Sequence, residues 1–441
     1  MGKVGIIGAG LAGCEAAWAA VNLNADVTLF EMKPHEYTPA HQSPLFAELV
    51  CSNSLKAMRI ESAAGLLKEE MRRLNSVCLK AAEKSAVPAG GALAVDRDLF
   101  SAFVTEMIKS HPRVKIEHRE IGEPFIEGHD AVVIATGPLT SPALSERLQQ
   151  MFGKALSFYD AAAPIVSADS VDMDYAFYGS RYGKGGEDGD YINCPLNKQE
   201  YEEFHAALIN AKTAPLHSFD KSGDIKVYQG CMPIETLAKR GLDAIRFGPM
   251  KPVGLTDPRT GRRPWAVVQL RKENLQGTML NMVGFQTNLT FGEQKRVFCL
   301  IPALHSAEFL RYGVMHRNTF LDSPRLLAQS FALKDNPRMF FAGQITGVEG
   351  YMESASSGIV AGINAARAAE SKPPLILPED TMIGALAKYI SDPEVKDFQP
   401  MGANFGLLPP LDDIIKNKQE RYAAYAKRAL QSLQKAVFEL E

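Results

Sequence analysis

The chain opens on a short apolar run, Lys3 to Gly8 (KVGIIG), of strand character. The turn GAGLAG follows, and then an Ala- and Leu-rich stretch, CEAAWAAVNL, that predicts a helix. A second apolar run, Asp26 to Phe30, ends at Glu31, which completes a βαβ unit at the start of the chain. Helical spacing of apolar residues recurs over Glu61 to Leu74 and Asp98 to Lys109. Val114 to His118 and Ala131 to Thr136 predict strands, the second running into Thr136-Gly137-Pro138. Near Phe158 the texture changes to Tyr, Pro and Gly clusters, with one helix over Lys198 to Asn210 and strand-like runs such as Trp265 to Leu270. Past Ile301 the α/β texture returns, and helical patterns cover residues 379 to 391 and 412 to 438. These patterns predict an α/β, Rossmann-type domain built from residues 1–165 and 300–441, interrupted by an inserted α+β domain at 166–299. No internal repeat is visible.

Composition narrows the class. The 441 residues are 46% hydrophobic and 22% charged, as in ordinary globular chains, so disorder is not the theme. A formal charge of −3 gives no global excess of basic residues for nucleic acid. Six cysteines, with no CxxC pair, argue against a zinc knuckle, a short-loop redox disulfide or a secreted disulfide framework, and no metal site is expected. The apolar start is broken by glycines and lacks a cleavage signature, and no run is long enough to span a bilayer. A soluble, cytoplasmic chain without a membrane role is the expectation.

Gly8, Gly10 and Gly13 form G-x-G-x-x-G between strand and helix, and Glu31 lies 18 residues beyond Gly13 at the end of the next strand. The first glycine permits the tight turn, the second lets backbone approach a pyrophosphate, and the third allows close packing of helix on strand. The helix N-terminus adds N–H donors and partial positive charge, and the acid can accept both ribose hydroxyls. Gly8, Ala9, Gly10, Leu11, Ala12, Gly13 and Glu31 are therefore candidate dinucleotide contacts, with FAD and NAD both open on this motif. Far along the chain, FFAGQITGVEGYMESASSG predicts a strand ending at Gly343 and a helix starting near Ser354, whose N-terminus could close the same site.

Two thiols stand in polar settings. Cys51 lies in ELVCSNSLK, read as opening toward a helix whose N–H groups would favour a thiolate, and Cys231 lies in the loop QGCMPIE. Cys14 and Cys78 fall in helix-like runs and Cys299 in an apolar, strand-like run, all readable as buried small hydrophobes; context leaves Cys194 undecided. Between Lys239 and Lys272, nine basic residues face only Asp243 and Asp257, a bias that suits either a polyanion or plain solvation. Asn281 to Phe298 is dense in amides, aromatics and glycine, as a planar heterocycle would want and as a hairpin would also show.

Taken in order, GAGLAG with Glu31, ELVCSNSLK, GGALAVDRDLF, ATGPLTS, NCPLNKQEYEEF, GCMPIE, GPMKPVGL, NMVGFQTNLTFGEQKRVF, LRYGVMHRNTFLDSP and FAGQITGVEGYMESASSG resemble the folate- and FAD-dependent tRNA uracil-5-methyltransferases, the TrmFO family, over roughly residues 1 to 370. The resemblance implies a GidA/glutathione-reductase-like FAD domain and 5-methyluridine at position 54 of the tRNA T-loop as product. It also implies 5,10-methylenetetrahydrofolate as carbon donor, and NADH or NADPH as a transient reductant. By matching position, it implies Cys51 and Cys231 as the catalytic pair, one nucleophile and one general acid/base. FAD contacts implied are Gly8, Gly10, Gly13, Glu31, Gly343, Gln344 and Glu349, with Gly137 a neighbour. Arg246, Lys251, Arg262 and Arg271 are candidates for tRNA, and the Asn288 to Arg296 segment for folate. No dedicated protein partner is evident. The GidA-type wobble-uridine enzymes look similar but carry a long helical C-terminal extension, where this chain stops at Glu441. A flavin dehydrogenase of a small molecule and a non-enzymatic tRNA-binding flavoprotein are the other readings.

Overall fold

The computed structural model describes residues 1–38, 40–153, 156–161, 163–183, 189–214, 232–313, 315–395 and 398–438. Its centre is a six-stranded sheet in which Asn336–Phe341, Ala131–Ile134, Lys3–Ile7, Asp26–Glu31 and Val114–His118 run parallel in that spatial order. A two-residue antiparallel strand, Ala332–Leu333, finishes one edge. Sheets of this kind are covered on both faces, which is why Ala131–Ile134 is buried along its whole length.

The first helix, Leu11–Asn22, lies against the long helix Tyr351–Ala369 at unusually short range. A Cβ on Gly358 would stand 2.2 Å from the Ala12 carbonyl oxygen, and one on Gly362 would stand 2.3 Å from that of Ala16. Glycine and alanine on both helices permit this approach, and it ties residues past 340 to the N-terminal turn. Helices Met382–Ser391 and Lys418–Phe438 complete the domain against helix Ala63–Arg73. There the buried Glu70 carboxylate accepts the N–H groups of Met382 (2.7 Å) and Ile383 (2.9 Å), supplying partners for orphan donors at a helix start.

The inserted unit is a second, antiparallel six-stranded sheet: Phe177–Tyr178, Tyr191–Leu196, Ala266–Lys272, Met279–Met282, Ile165–Ser167 and Phe309–Arg311. The period-2 alternation puts Ile192, Cys194, Leu196, Val268, Leu270, Leu280 and Met282 into its own core, with Phe204, Phe285 and Phe298. The opposite side chains, Asn193, Gln269, Arg271 and Asn281, are polar yet buried. This second core reaches Ala307 and its last strand Arg311, so the insertion runs past the expected limit of 299. The apolar residues Ile301, Ala303 and Leu304, which on the chain look like a return to the first domain, instead fill the second core. Strands Leu156–Ala161 and Met315–Phe320 pair antiparallel where the chain leaves and re-enters. No helix among the described residues is long and apolar enough to cross a membrane.

Candidate functional site

A cleft opens at the C-terminal ends of the parallel strands, where such sheets bind ligands. Its wall includes Gly8, Gly10, Leu11, Ala12, Glu31, Gly137, Gly343 and Gln344, all sequence candidates. The three glycines of the turn differ physically. Gly8 has φ +98° and a Cβ there would meet the Ala135 carbonyl oxygen at 2.7 Å. At Gly13 a Cβ would stand 1.8 Å from the Gly8 carbonyl oxygen, the close approach of helix to strand. Around Gly10 a Cβ would find nothing within 4 Å. That bare helix start, with no side-chain cap, is the place a pyrophosphate needs.

Glu31 is 7% exposed and oriented by two N–H donors, Ala9 to Oε2 at 2.8 Å and Lys33 to Oε1 at 3.0 Å. It lines the cleft as a ribose acceptor would. Ala9 and Gly13 sit behind the wall. So does Glu349, which accepts from Gln344 Nε2 at 2.7 Å and orients that side chain. These donors and acceptors fit an adenine dinucleotide such as FAD.

Cys51 is not at a helix N-terminus, as its sequence context predicts; the residues after it form strand Ser54–Ala57. Its partner comes instead from Tyr351, the first residue of the long helix. The Tyr351 oxygen accepts the N–H groups of Cys51 (2.8 Å) and Ser52 (3.2 Å) and lies 3.0 Å from Cys51 Sγ. With both lone pairs of that oxygen occupied, its proton is the one left to lie toward sulfur, which makes the thiol sulfur the acceptor. Burial holds the phenol well above its ordinary range, so the hydroxyl keeps that proton. Tyr351 and Val50 both line the cleft.

Three arginines grip the backbone around Cys51. Arg97 donates to the Leu49 carbonyl (2.6 Å), Arg311 to that of Val50 (2.7 Å), and Arg271 to Asn53 Oδ1 (3.0 and 2.7 Å) and Ser52 Oγ (3.2 Å). Glu273, itself buried, pairs with Arg97. Arg271 is thus corrected: at 5% exposure it offers no surface charge to RNA and instead ties the inserted sheet to the Cys51 loop. The basic stretch disguised it, because surface and buried arginines read alike in a charge count. The chain alone does not single out Tyr351, Arg97 or Arg311: Tyr351 opens the YMESASSG run, but nothing local links it to a residue 300 positions away.

Among the other tRNA candidates, Lys251 and Arg262 are exposed, while Arg246 is half-buried over Trp265. The Asn281 to Phe298 stretch is not a hairpin, since Phe291–Phe298 is a helix; in the folate-candidate segment Asn288 to Arg296, Asn288 donates its N–H to Glu235 and its side-chain amide to the Ala214 carbonyl. Cys14, Cys78 and Cys194 are buried thiols whose pKa values burial pushes up, that of Cys194 to about 12. Cys299 ends a helix rather than sitting in a strand. Cys231 lies outside the described residues, three positions before helix Ile234–Ala238. No group of three metal-ligating side chains occurs among the described residues.

The family model "Glucose inhibited division protein A" matches residues 3–373. The chain is 57% identical over 437 residues to the methylenetetrahydrofolate–tRNA-(uracil-5-)-methyltransferase TrmFO of Heliobacterium modesticaldum, covering 99% of this chain and 98% of that one. It is 56% identical over 432 residues to the protein of the same name from Geobacter sulfurreducens, covering 98% of each. Aquifex aeolicus GidA superposes with a TM-score of 0.71 at 17% identity, over 98% of this chain and 73% of that one, which speaks to the fold. By these matches along nearly its whole length, the chain belongs to the TrmFO family of methylenetetrahydrofolate–tRNA-(uracil-5-)-methyltransferases within the wider GidA group.

Proposed function

We propose that this protein forms 5-methyluridine at position 54 in the T-loop of tRNA, with 5,10-methylenetetrahydrofolate as carbon donor and FAD as bound cofactor. The observation that carries the reading is the Cys51 sulfur, held 3.0 Å from the hydroxyl of Tyr351 and next in the chain to Val50, two residues that line the dinucleotide cleft. Uracil C5 is a weak nucleophile. Addition of a thiolate to C6 makes an enolate whose C5 attacks the methylene electrophile; a base then removes the C5 proton as tetrahydrofolate leaves, giving an exocyclic methylene with sulfur still bonded to C6. Flavin, held by the cleft residues and reduced by NADH or NADPH, would supply the hydride that turns this methylene into methyl, as the thiolate is expelled from C6.

The chain's own residues do the rest. Gly8, Gly10 and the first helix start receive the pyrophosphate, Glu31 the ribose, and Gly137, Gly343 and Gln344 close the cleft. Cys51 and Cys231 share the roles of nucleophile and acid/base. Tyr351 orients the Cys51 sulfur, and the three arginines hold its loop. Lys251 and Arg262 offer charge to the RNA backbone.

Incubation with T-arm transcript, carbon-labelled methylenetetrahydrofolate and NADH is the test. Label retained on the RNA is expected. Cys51→Ala and Cys231→Ala are each expected to abolish it while flavin absorbance stays, and full activity in either variant refutes the paired role. The variant that still forms a covalent adduct with a 5-fluorouridine transcript retains the nucleophile. Label appearing only on wobble-uridine RNA would move the reading to the GidA type.

A further inference from the structure

The basic loop 239–263 joins helix Ile234–Ala238 to strand Ala266–Lys272. Ile245 and Met250 are fully buried and pin it, so Arg246 and Phe247 between them are carried toward the surface. The Arg246 guanidinium lies 3.9 Å over the Trp265 ring and 5.2 Å from the Phe247 ring. Its Nε donates to the Trp265 carbonyl at 3.0 Å and its Nη1 lies 3.4 Å from Asp243. Lys198 Nζ stands 5.7 Å from the same indole. The cation is held from several sides, while Phe247 at 67% exposure leaves ring surface to solvent.

An isolated surface Phe needs no explanation. A ring stacked on a fixed planar cation, in a loop whose Arg240, Lys251, Arg262 and Arg263 are exposed, is a different object. The acids near it are engaged: Asp243 with Arg246, Asp257 with Arg259, Glu202 with Lys198. Aromatic platforms flanked by cations suit an unstacked base and its neighbouring phosphates, because the ring takes the base face and the cations take the backbone.

We propose that Phe247, Arg246 and Trp265 form a stacking platform that grips one unstacked base of the substrate tRNA outside the catalytic cleft. This rests on the tRNA reading above and names where RNA is held. The test uses the flavin-loaded full chain and a tRNA transcript, with binding followed by anisotropy across a salt series. Phe247→Ala is expected to weaken binding about tenfold at every salt concentration, with the slope of log K against log salt unchanged. Phe247→Trp should restore it. Arg240→Ala and Arg263→Ala should each lower the slope by about one. Wild-type affinity in Phe247→Ala overturns the platform, as does an earlier melting transition or loss of flavin, which would make the ring a structural one. A wild-type chain that binds no tRNA at any salt fails the tRNA reading itself, a separate outcome.

Discussion

A phenol oxygen has two lone pairs and one proton, and at Tyr351 all three are directed at two consecutive residues, Cys51 and Ser52. Tyr351→Phe removes the acceptor of two N–H groups and the donor toward sulfur while keeping the ring. The expected result is kcat for methylation down about 10²-fold with KM for tRNA and flavin content nearly unchanged, measured by single-turnover label transfer. Glu70 carries a second residue-level prediction. Burial raises its carboxyl from the usual 4.5 to about 8, so between those pH values the native state holds a proton that the unfolded chain has released. Its stabilising contribution is complete below pH 4.5 and is lost as pH rises through about 8. Glu70→Gln, isosteric with the neutral acid, should match the wild type near pH 4.5 and become the more stable protein at pH 8 and above, read by urea unfolding across pH. The residues legible from the chain were those whose role is local, such as Gly8, Gly13 and Glu31. Tyr351 was not, because its partner is set by packing.

The helix pair Leu11–Asn22 and Tyr351–Ala369 shows how an element depends on what it lacks. Gly358 and Gly362 face carbonyl oxygens at distances no Cβ tolerates. Gly358→Ala must push the long helix outward, and Gly343, Gln344, Tyr351 and Ser354 at the cleft move with it. We expect a loss of about 1–3 kcal/mol in stability together with weaker flavin retention, measured by thermal unfolding and by the absorbance ratio at 450 and 280 nm. The elements themselves were largely legible. Strand Val114–His118 has the expected bounds, and Lys198–Ile209 ends one residue short of the expected helix, with Asn197 and Glu200 forming a capping box. Asn281 to Phe298 leaves a hairpin open on the chain, because amides and glycine serve the approach to helix Phe291–Phe298 as readily as a turn.

At the scale of the whole molecule, the Cys51 loop is gripped from two domains at once, by Arg97 on one side and by Arg271 and Arg311 on the other. Arg271→Ala leaves the Asn53 side chain without that donor and loosens the loop, so kcat should fall while flavin content holds. Because Arg271 is buried, the salt slope of tRNA binding should not change; a slope lower by about one would make it an RNA contact instead. The insertion limit at 299 failed for the same reason that this contact stayed hidden: apolar residues announce burial without saying in which core.

By itself the amino-acid order determined the local matters: the strand–turn–helix with its glycines and terminal acid, the run of helices, and two thiols in polar segments. These depend on backbone sterics and short-range periodicity, which act over a few residues. Tertiary structure decided which distant groups meet. It brought Tyr351 to Cys51, turned Arg271 inward, set Phe247 outward beside Arg246 and carried residues 301–311 into the second core. Such pairings follow from the packing of whole sheets and helices, and no stretch of chain contains them.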